Sequence, residues 1–385
     1  MTDSGPRSLT PFIIRLGLVS LFADFTYEGS HAILGSFLAT LKAGPLLVGL
    51  VAGGGELLGS GIRLLAGAYT DRTRRYWPVM AWGYALNMIA VPALAFAQGV
   101  GLAVTLIWGE RLGKGIRTPA RNTVLADAAQ GRAGHAFGLH AALDQVGGLL
   151  GPLLVALMVH ESGYRLAFAA LAVPALLSLL FFYRAYRAAP PPQAHPVVSL
   201  TWRFPKAYYG YLAFAALTVM GFAHFILFSY HLSVRHRLPP PWIPVLYAVG
   251  MAAAGITAFP AGHLFDRIGL KTLSLVPILL IIATPLQFLG PSPASLVTGT
   301  LLWGAALGVQ DGALRAGLAP LIPAGRRASA YGLFDAGFGL AWMLGSLIMG
   351  GLYTLGSDAL VLFAEAAEIL ALVLLTGLVR TLRRL

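Results

Sequence analysis

Long apolar stretches separated by short polar segments run through the whole chain. Each stretch is long enough to cross the roughly 30 Å of hydrocarbon in a bilayer as a helix. The pattern therefore predicts an all-α membrane protein with about twelve transmembrane helices, at residues 11–41, 45–70, 77–99, 100–119, 135–159, 163–183, 207–231, 241–265, 272–290, 293–319, 329–354 and 359–379.

One long polar interruption, rich in Pro, divides these helices. It predicts a cytoplasmic linker at 185–205 between an N-terminal six-helix bundle, 1–184, and a C-terminal six-helix bundle, 206–385. The two bundles also share short motifs at a shift of 194 positions: Gly131-Arg132, Ala136-Phe137-Gly138-Leu139 and Gly151 match Gly325-Arg326, Ala330-Tyr331-Gly332-Leu333 and Gly345. Two pseudo-symmetric bundles are a transporter architecture, with the solute site between them at the midplane.

Basic residues outnumber acidic ones, 27 to 15, and their placement sets the orientation. With the N-terminus in the cytoplasm, twenty of them fall inside, including Arg117 and Arg121 after the fourth helix, and four fall outside: Lys42, Arg165, Arg235 and Arg237. The positive-inside rule then puts both termini in the cytoplasm. It also explains the net charge of +12 without a nucleic-acid partner. We expect a monomer in the cytoplasmic (inner) membrane, with the lipid bilayer as its surroundings.

The composition excludes several classes of protein. Hydrophobic residues make up 57% of the chain and charged residues 11%, against about 25% charged in a soluble domain. The absence of Cys excludes disulfides and thiol chemistry. No nucleophile with a base, zinc-binding pair or phosphate-binding loop is found, so we predict no enzymatic activity, no cofactor and no metal.

A loop signature after the second helix of each half resembles that of the major facilitator superfamily. The second half has Gly262-x-Leu264-x-Asp266-Arg267-x-Gly269-x-Lys271, and the first half has Gly67-x3-Asp71-Arg72-x-Arg74-Arg75, with Arg74 where the family has Gly. The resemblance covers essentially the whole chain. It implies a transporter in which the two loops act as conformational latches, through Gly67, Asp71, Arg72, Arg75, Gly262, Asp266, Arg267, Gly269 and Lys271.

Two further motifs concern coupling. Gly147-x3-Gly151-Pro152 resembles the motif of the drug:proton antiporter branch, and such a motif lets a neighbouring backbone approach and bends its own helix. Arg111-x2-Lys114-Gly115-x-Arg117 looks like the family's Arg-containing motif linked to proton transfer. Together the resemblances favour antiport, with Gly147, Gly151 and Pro152 in the conformational change.

Ionisable residues within the membrane are the main functional signal. Asp24, Glu56 and Asp144 are expected at one depth near the midplane, and Glu28, Glu110, Arg111 and Lys114 lie close in depth. Each charge costs roughly 2.5–3.5 kcal/mol at the bilayer centre, so these side chains must face a cavity or one another. The acids outnumber the bases here, so at least one acid is expected to carry a proton during part of the cycle. We predict proton coupling by Asp24, Glu28, Glu56, Arg111 and Asp144.

Polar and aromatic residues of both halves are candidates for solute binding: His31, Glu56, Gln145, His224, Gln310, Asp311, Phe338 and Trp342. Structural explanations compete with some of the charges. Glu110 and Lys114 can neutralise each other at i,i+4, as can Asp311 and Arg315. Glu365 and Glu368 are expected to be structural or close to lipid.

The sequence thus predicts a secondary active transporter that couples protons to a small-molecule substrate. The leading hypothesis is efflux of an amphiphilic, drug-like solute in exchange for protons, by rocker-switch alternating access, as in multidrug efflux. Proton-linked uptake and divalent metal efflux are the alternatives, and a non-transporting receptor or scaffold is a third.

Overall fold

The computed structural model describes residues 10–129, 133–189, 204–318, 321–322 and 327–382. Within these ranges the chain is all-helical and contains no strand. Short 3-10 helices occupy Leu94–Phe96 and Gly269–Ser274. The α-helices are α1 Thr10–His31, α2 Leu34–Thr40, α3 Pro45–Thr73, α4 Tyr76–Ala93, α5 Val100–Ala128, α6 Ala133–Ala170, α7 Ala172–Arg187, α8 Lys206–Gly221, α9 Phe225–Val234, α10 Trp242–Ile268, α11 Leu275–Phe288, α12 Pro293–Leu318, α13 Arg327–Leu352 and α14 Ser357–Leu382.

Seven segments of the described chain are long and apolar enough to cross a membrane. Two of them, Ala136–Arg187 with 52 residues and Trp242–Phe288 with 47, are more than twice as long as one crossing needs at about 1.5 Å per residue. Each is broken at a glycine with positive φ, Gly163 at 79° and Gly269 at 62°. Each therefore has room for two crossings, and the count of twelve remains a prediction.

Part of the predicted domain boundary is not described. Residues 190–203 of the linker, and the repeated pairs at 131–132 and 325–326, lie outside the described residues. Helix α7 continues to Arg187, three residues past the predicted end of the N-terminal bundle. Below, the N-terminal half means α1 to α7 and the C-terminal half means α8 to α14.

Two of the predicted continuous helices are broken near their middles. The prediction of one helix at 11–41 is wrong, because α1 ends at His31 and α2 begins at Leu34. The predicted span at 207–231 coincides with the apolar segment Lys206–Val234, but its helix is interrupted, because Phe222 adopts an extended backbone and His224 caps α9 by accepting a hydrogen bond from the Ile226 amide at 3.2 Å. Both breaks place a histidine in the interior.

Helix α5 is longer than predicted, and the additional length places Arg117 within the helix. The helix continues through Pro119 to Ala128, whereas the predicted helix ends at 119. Arg117, assigned from the sequence to the cytoplasmic side, is therefore in mid-helix and has no exposed surface. The predicted helix end is wrong, because the helix passes Pro119, while the side of the membrane assigned to Arg117 remains a prediction.

Helices α1 and α6 pack with their backbones in contact. A Cβ added to Gly147 would overlap the carbonyl oxygen of Leu21, and one added to Gly151 would overlap that of Phe25. The close approach expected from the Gly-x3-Gly motif is present, and it holds the acid-bearing α1 against α6.

The two halves meet through α2 and α9 and through α3 and α13. Ser36 of α2 donates a hydrogen bond to the carbonyl oxygen of Ser229 in α9 at 3.1 Å. Gly53 of α3 faces Met343 of α13 so closely that a Cβ would lie 2.6 Å from the Met343 Cα. These contacts hold the two halves together beside α2 and α9.

Candidate functional site

A cavity of about 290 Å³ lies between the two halves. Its N-terminal wall comes from α1, α3 and α5 and carries most of the charge: Glu28, Glu56, Arg63, Arg111 and Lys114, with Tyr27 and His31. Its C-terminal wall, from the α8–α9 break to α13, carries most of the rings: Phe222, His224, Phe225, Tyr247, Trp303 and Trp342, with Met251, Leu307 and Asp311. A charged wall therefore faces an aromatic one.

Arg111 organises the charged wall. Its side chain is buried at the base of the cavity and forms an ion pair with Glu56 at 2.9 Å. It also donates hydrogen bonds to the hydroxyl of Tyr27 and to Nε2 of His31, both on α1. One guanidinium thus joins α1, α3 and α5, as its fork of donors allows.

The neighbouring Glu110 and Lys114 have separate contacts. Glu110 lies 3.7 Å from Arg111 Nε and accepts a hydrogen bond from Asn87 Nδ2 at 2.7 Å. The ammonium of Lys114 lies 3.3 Å from the centre of the Tyr27 ring. The ion pair allowed by their i,i+4 spacing is thus replaced by contacts with other helices.

Two acids of the charged wall contact the opposite half. Tyr247 of α10 donates a hydrogen bond to Oε2 of Glu28 at 2.5 Å. Nε2 of His224 lies 3.8 Å from Oε1 of Glu56, and the His224 ring centre lies 5.5 Å from that of His31. Two of the contacts between the halves at the cavity therefore involve carboxylates.

The other two predicted acids form groups of their own beside the cavity. Asp24 lies 3.9 Å from Arg117, whose guanidinium sits 4.4 Å from the centre of the Tyr84 ring. Asp144 lies 3.2 Å from Nδ1 of His140. Asp24 and Asp144 interact electrostatically with each other, and Arg117 with both, whereas Glu56 lies in the separate Arg111 group.

The predicted solute-binding residues divide in a similar way. His31, Glu56, His224, Asp311 and Trp342 line the cavity, whereas Gln145, Gln310 and Phe338 are not among its lining residues. The Phe338 ring packs edge-on against Trp342 with centres 5.5 Å apart. Gln145 faces the helix α10 backbone, where a Cβ on Gly255 would lie 3.5 Å from its Oε1.

Sequence reasoning missed two tyrosines of the cavity. Tyr27 could have been found, because positions 24, 27, 28 and 31 follow the i, i+3, i+4, i+7 spacing of one helix face. Tyr247 had no such signal, since it stands alone in an apolar stretch of α10. Its partner is Glu28, which is distant in sequence.

Each latch loop has a residue with positive φ at the equivalent position. Arg74 ends α3 with φ 57°, and Gly269, at the equivalent position after α10, has φ 62°. Arg74, with ψ 21°, is left-handed helical, whereas Gly269, with ψ −140°, adopts a conformation that favours glycine, so the two turns differ. The other predicted latch side chains, Asp71, Arg72, Arg75, Asp266, Arg267 and Lys271, are exposed.

One acid outside the site is unusual. Glu368 of α14 is 1% exposed, and neither carboxyl oxygen has a hydrogen-bond partner among the described residues. It faces Gly221 at the end of α8, where a Cβ would lie 2.8 Å from Oε1. Across the same ranges, no three His, Asp or Glu side chains converge as metal ligands do.

The family is decided by sequence comparison. The family model described as Major Facilitator Superfamily matches residues 16–243 and 238–384. The chain belongs to the major facilitator superfamily. It is accordingly a multi-pass integral membrane protein with a transporter fold, as the loop signature implied.

Relatives and solved structures agree with this assignment. The chain is 40% identical over 377 residues to an uncharacterized protein of Mycobacterium tuberculosis, covering 94% of this chain and 92% of that protein. An uncharacterized MFS-type transporter of Methanocaldococcus jannaschii is 26% identical over 389 residues, 97% and 96% of the two chains. A mutant of the nucleoside transporter NupG has a similar fold, with a TM-score of 0.82, 16% identity and coverage of 95% of this chain and 99% of that chain. The peptide transporter POT in complex with sulfate has a TM-score of 0.77 and 16% identity, with coverage of 97% of this chain and 94% of that chain.

Proposed function

We propose that this protein is a proton-coupled secondary transporter that exports a small amphiphilic solute in exchange for protons. The observation that carries the proposal is that Glu28 and Glu56, both in the cavity wall, each contact the opposite half. A protonation event at either acid changes a contact that must break when the halves separate. Proton binding and alternating access are thereby linked at the solute site.

Glu28 is the more direct of the two links. As a carboxylate it accepts the Tyr247 hydrogen bond at 2.5 Å, and hydrogen bonds to charged groups contribute about 1.5–3 kcal/mol. A proton on Glu28 weakens that bond and loosens α1 from α10. Separation of the halves then becomes easier after proton uptake than before it.

Glu56 connects the proton to the solute. Its carboxylate lies between Arg111 at 2.9 Å and His224 at 3.8 Å, so its loss of charge frees both partners. Arg111 then becomes available to a solute in the same cavity. Proton binding at Glu56 and solute binding are thereby coupled through shared partners.

The proposed direction rests on resemblance. Gly147-x3-Gly151-Pro152 is similar to the antiporter motif, and its two glycines hold α1, which bears Glu28, against α6. Proton-linked uptake uses the same acids, so the test must measure direction as well as coupling.

The test uses proteoliposomes with a pH-sensitive dye inside and an imposed pH gradient. Lipophilic cations, amphiphiles, sugars and divalent metals are added in turn, and proton flux is followed in both gradient directions. Wild type should move protons only when a solute is present. Glu28→Gln and Glu56→Gln should lose this solute-driven flux, while Glu365→Gln, on α14 and outside the cavity lining, should retain it.

Three results would contradict the proposal. Solute-driven flux that survives in both cavity variants removes their role in coupling. Solute movement without proton movement indicates uniport. Proton and solute moving in the same direction indicates uptake by symport.

A further inference from the structure

The charged side chains of the cavity are not all satisfied within the protein. Three pairs account for most of them: Arg111 with Glu56, Glu28 with Tyr247, and Arg63 with Asp335 at 3.9 Å. Lys114 and Asp311 remain. They line the cavity from opposite halves, Lys114 on α5 and Asp311 on α12.

Neither of the two has an ion-pair or side-chain hydrogen-bond partner in the described part of the chain. The Lys114 ammonium lies over the face of the Tyr27 ring and interacts electrostatically with Glu28 and Asp311, without a direct ion pair to either. Arg315, one turn after Asp311, pairs with Asp335 at 3.3 Å instead. Charges without a direct partner are costly in a membrane interior, so a ligand that pairs with both side chains is stabilised.

The aromatic wall and the cavity volume indicate the apolar part and the size of the ligand. Phe225 contacts Tyr247 with ring centres 4.5 Å apart and Trp303 at 5.8 Å, which makes a continuous aromatic surface. The volume of about 290 Å³ is at the lower end for pockets that hold organic ligands. A solute with one apolar group and a short polar end fits this space.

We propose that the solute is a zwitterion with an apolar side group. Its anionic group pairs with Lys114, its ammonium group with Asp311, and its side group lies against the aromatic surface of Phe225, Tyr247 and Trp303. A simple organic cation would leave Lys114 unpaired and be repelled by it, and a simple anion would meet the same problem at Asp311. The inference rests on the proposed transport function and names the substrate class.

Binding to the purified full chain in detergent, measured by titration calorimetry at one pH, tests the proposal. The probes are two matched sets: L-phenylalanine, phenethylamine and 3-phenylpropionate, and L-tryptophan, tryptamine and indole-3-propionate. In at least one set the amino acid should bind about tenfold more tightly than the amine and the acid, as expected for one additional charged contact.

Variants then assign the two charges. Lys114→Met should weaken binding of the amino acid about tenfold and tighten binding of the amine by removing a like charge, and Asp311→Asn should weaken the amino acid and tighten binding of the acid for the same reason. Lys206→Met, at the exposed start of α8, is the matched control and should bind as wild type does. Unchanged melting temperatures establish that the variants fold, and Lys114→Gln and Asp311→Ser serve as second substitutions.

The wild-type comparison decides the matter without any variant. An amine that binds as tightly as its amino acid, or amino acids that do not bind at all, would overturn the proposal, as would a preference that survives Lys114→Met. Because binding needs no gradient, zwitterion binding without proton flux would refute the coupling and keep this inference. Proton-coupled transport of a simple cation without zwitterion binding would support the coupling and refute this inference.

Discussion

Replacement of Gly151 by Ala tests whether the contact between α1 and α6 supports the site. The added Cβ would overlap the Phe25 carbonyl oxygen and lie 2.8 Å from the Gly29 amide nitrogen and 3.0 Å from the Phe25 carbonyl carbon. Ordinary contacts of a Cβ begin near 3.4 Å, so α1 must move by at least about half an ångström. Overpacking of this kind costs about 1–3 kcal/mol, and the moved helix carries Glu28.

The control is Gly138→Ala on the same helix. A Cβ there meets nothing within 4 Å, and helix propensity favours Ala by about 1 kcal/mol. Fluorescence-detected thermal melts in one detergent should therefore show Gly151→Ala several degrees below wild type and Gly138→Ala at or above it, and only Gly151→Ala should lose solute-driven proton flux. Equal melting temperatures for the two variants would refute the packing argument.

Three further predictions concern single side chains. Arg111→Lys keeps the charge but not the fork of donors, so solute-driven proton flux in proteoliposomes should fall about tenfold or more, and wild-type flux would contradict this role. Arg74→Gly should raise the melting temperature by relieving a left-handed residue that costs roughly 1 kcal/mol, whereas Gly269→Ala should lower it because Ala rarely adopts that backbone conformation; a fall with Arg74→Gly would contradict the strain argument. Glu368→Gln should leave folding and flux unchanged, because the buried carboxyl has no charged or hydrogen-bonded partner among the described residues, whereas a loss of flux would give it a transport role.

Hydropathy located the helices well because a bilayer imposes one length and one polarity on every crossing. It could not locate the breaks after His31 and Gly221, since the residues that follow, Ala32-Ile33 and Phe222-Ala223, are as apolar as the helices around them. Those breaks depend on packing between the halves. Hydropathy depends only on local composition and therefore cannot predict that packing.

The ionisable residues were found for a similar reason, but their pairing was not. Any charge in an apolar stretch is conspicuous, so Glu28, Glu56 and Arg111 stood out from the sequence alone. The depth of a residue along a helix does not give the direction of its side chain around the helix. The sequence therefore did not show that Asp24 pairs with Arg117 and not with Arg111, the partner of Glu56. Tyr247 was missed because a hydroxyl on an aromatic ring costs little in a membrane helix.

The glycine contact between α1 and α6 also divides the distances in the molecule into fixed and variable ones. Helices whose backbones are in contact cannot move closer together, so labels on α1 and α6 should keep one distance throughout the transport cycle. Labels on α1 and α10, which belong to different halves, should show two distances. The chain contains no cysteine, and paired thiols introduced for spin labelling would be its only ones. The wild-type sequence is thus already suited to distance measurements by spin labelling, and the distance between α1 and α6 serves as the internal reference.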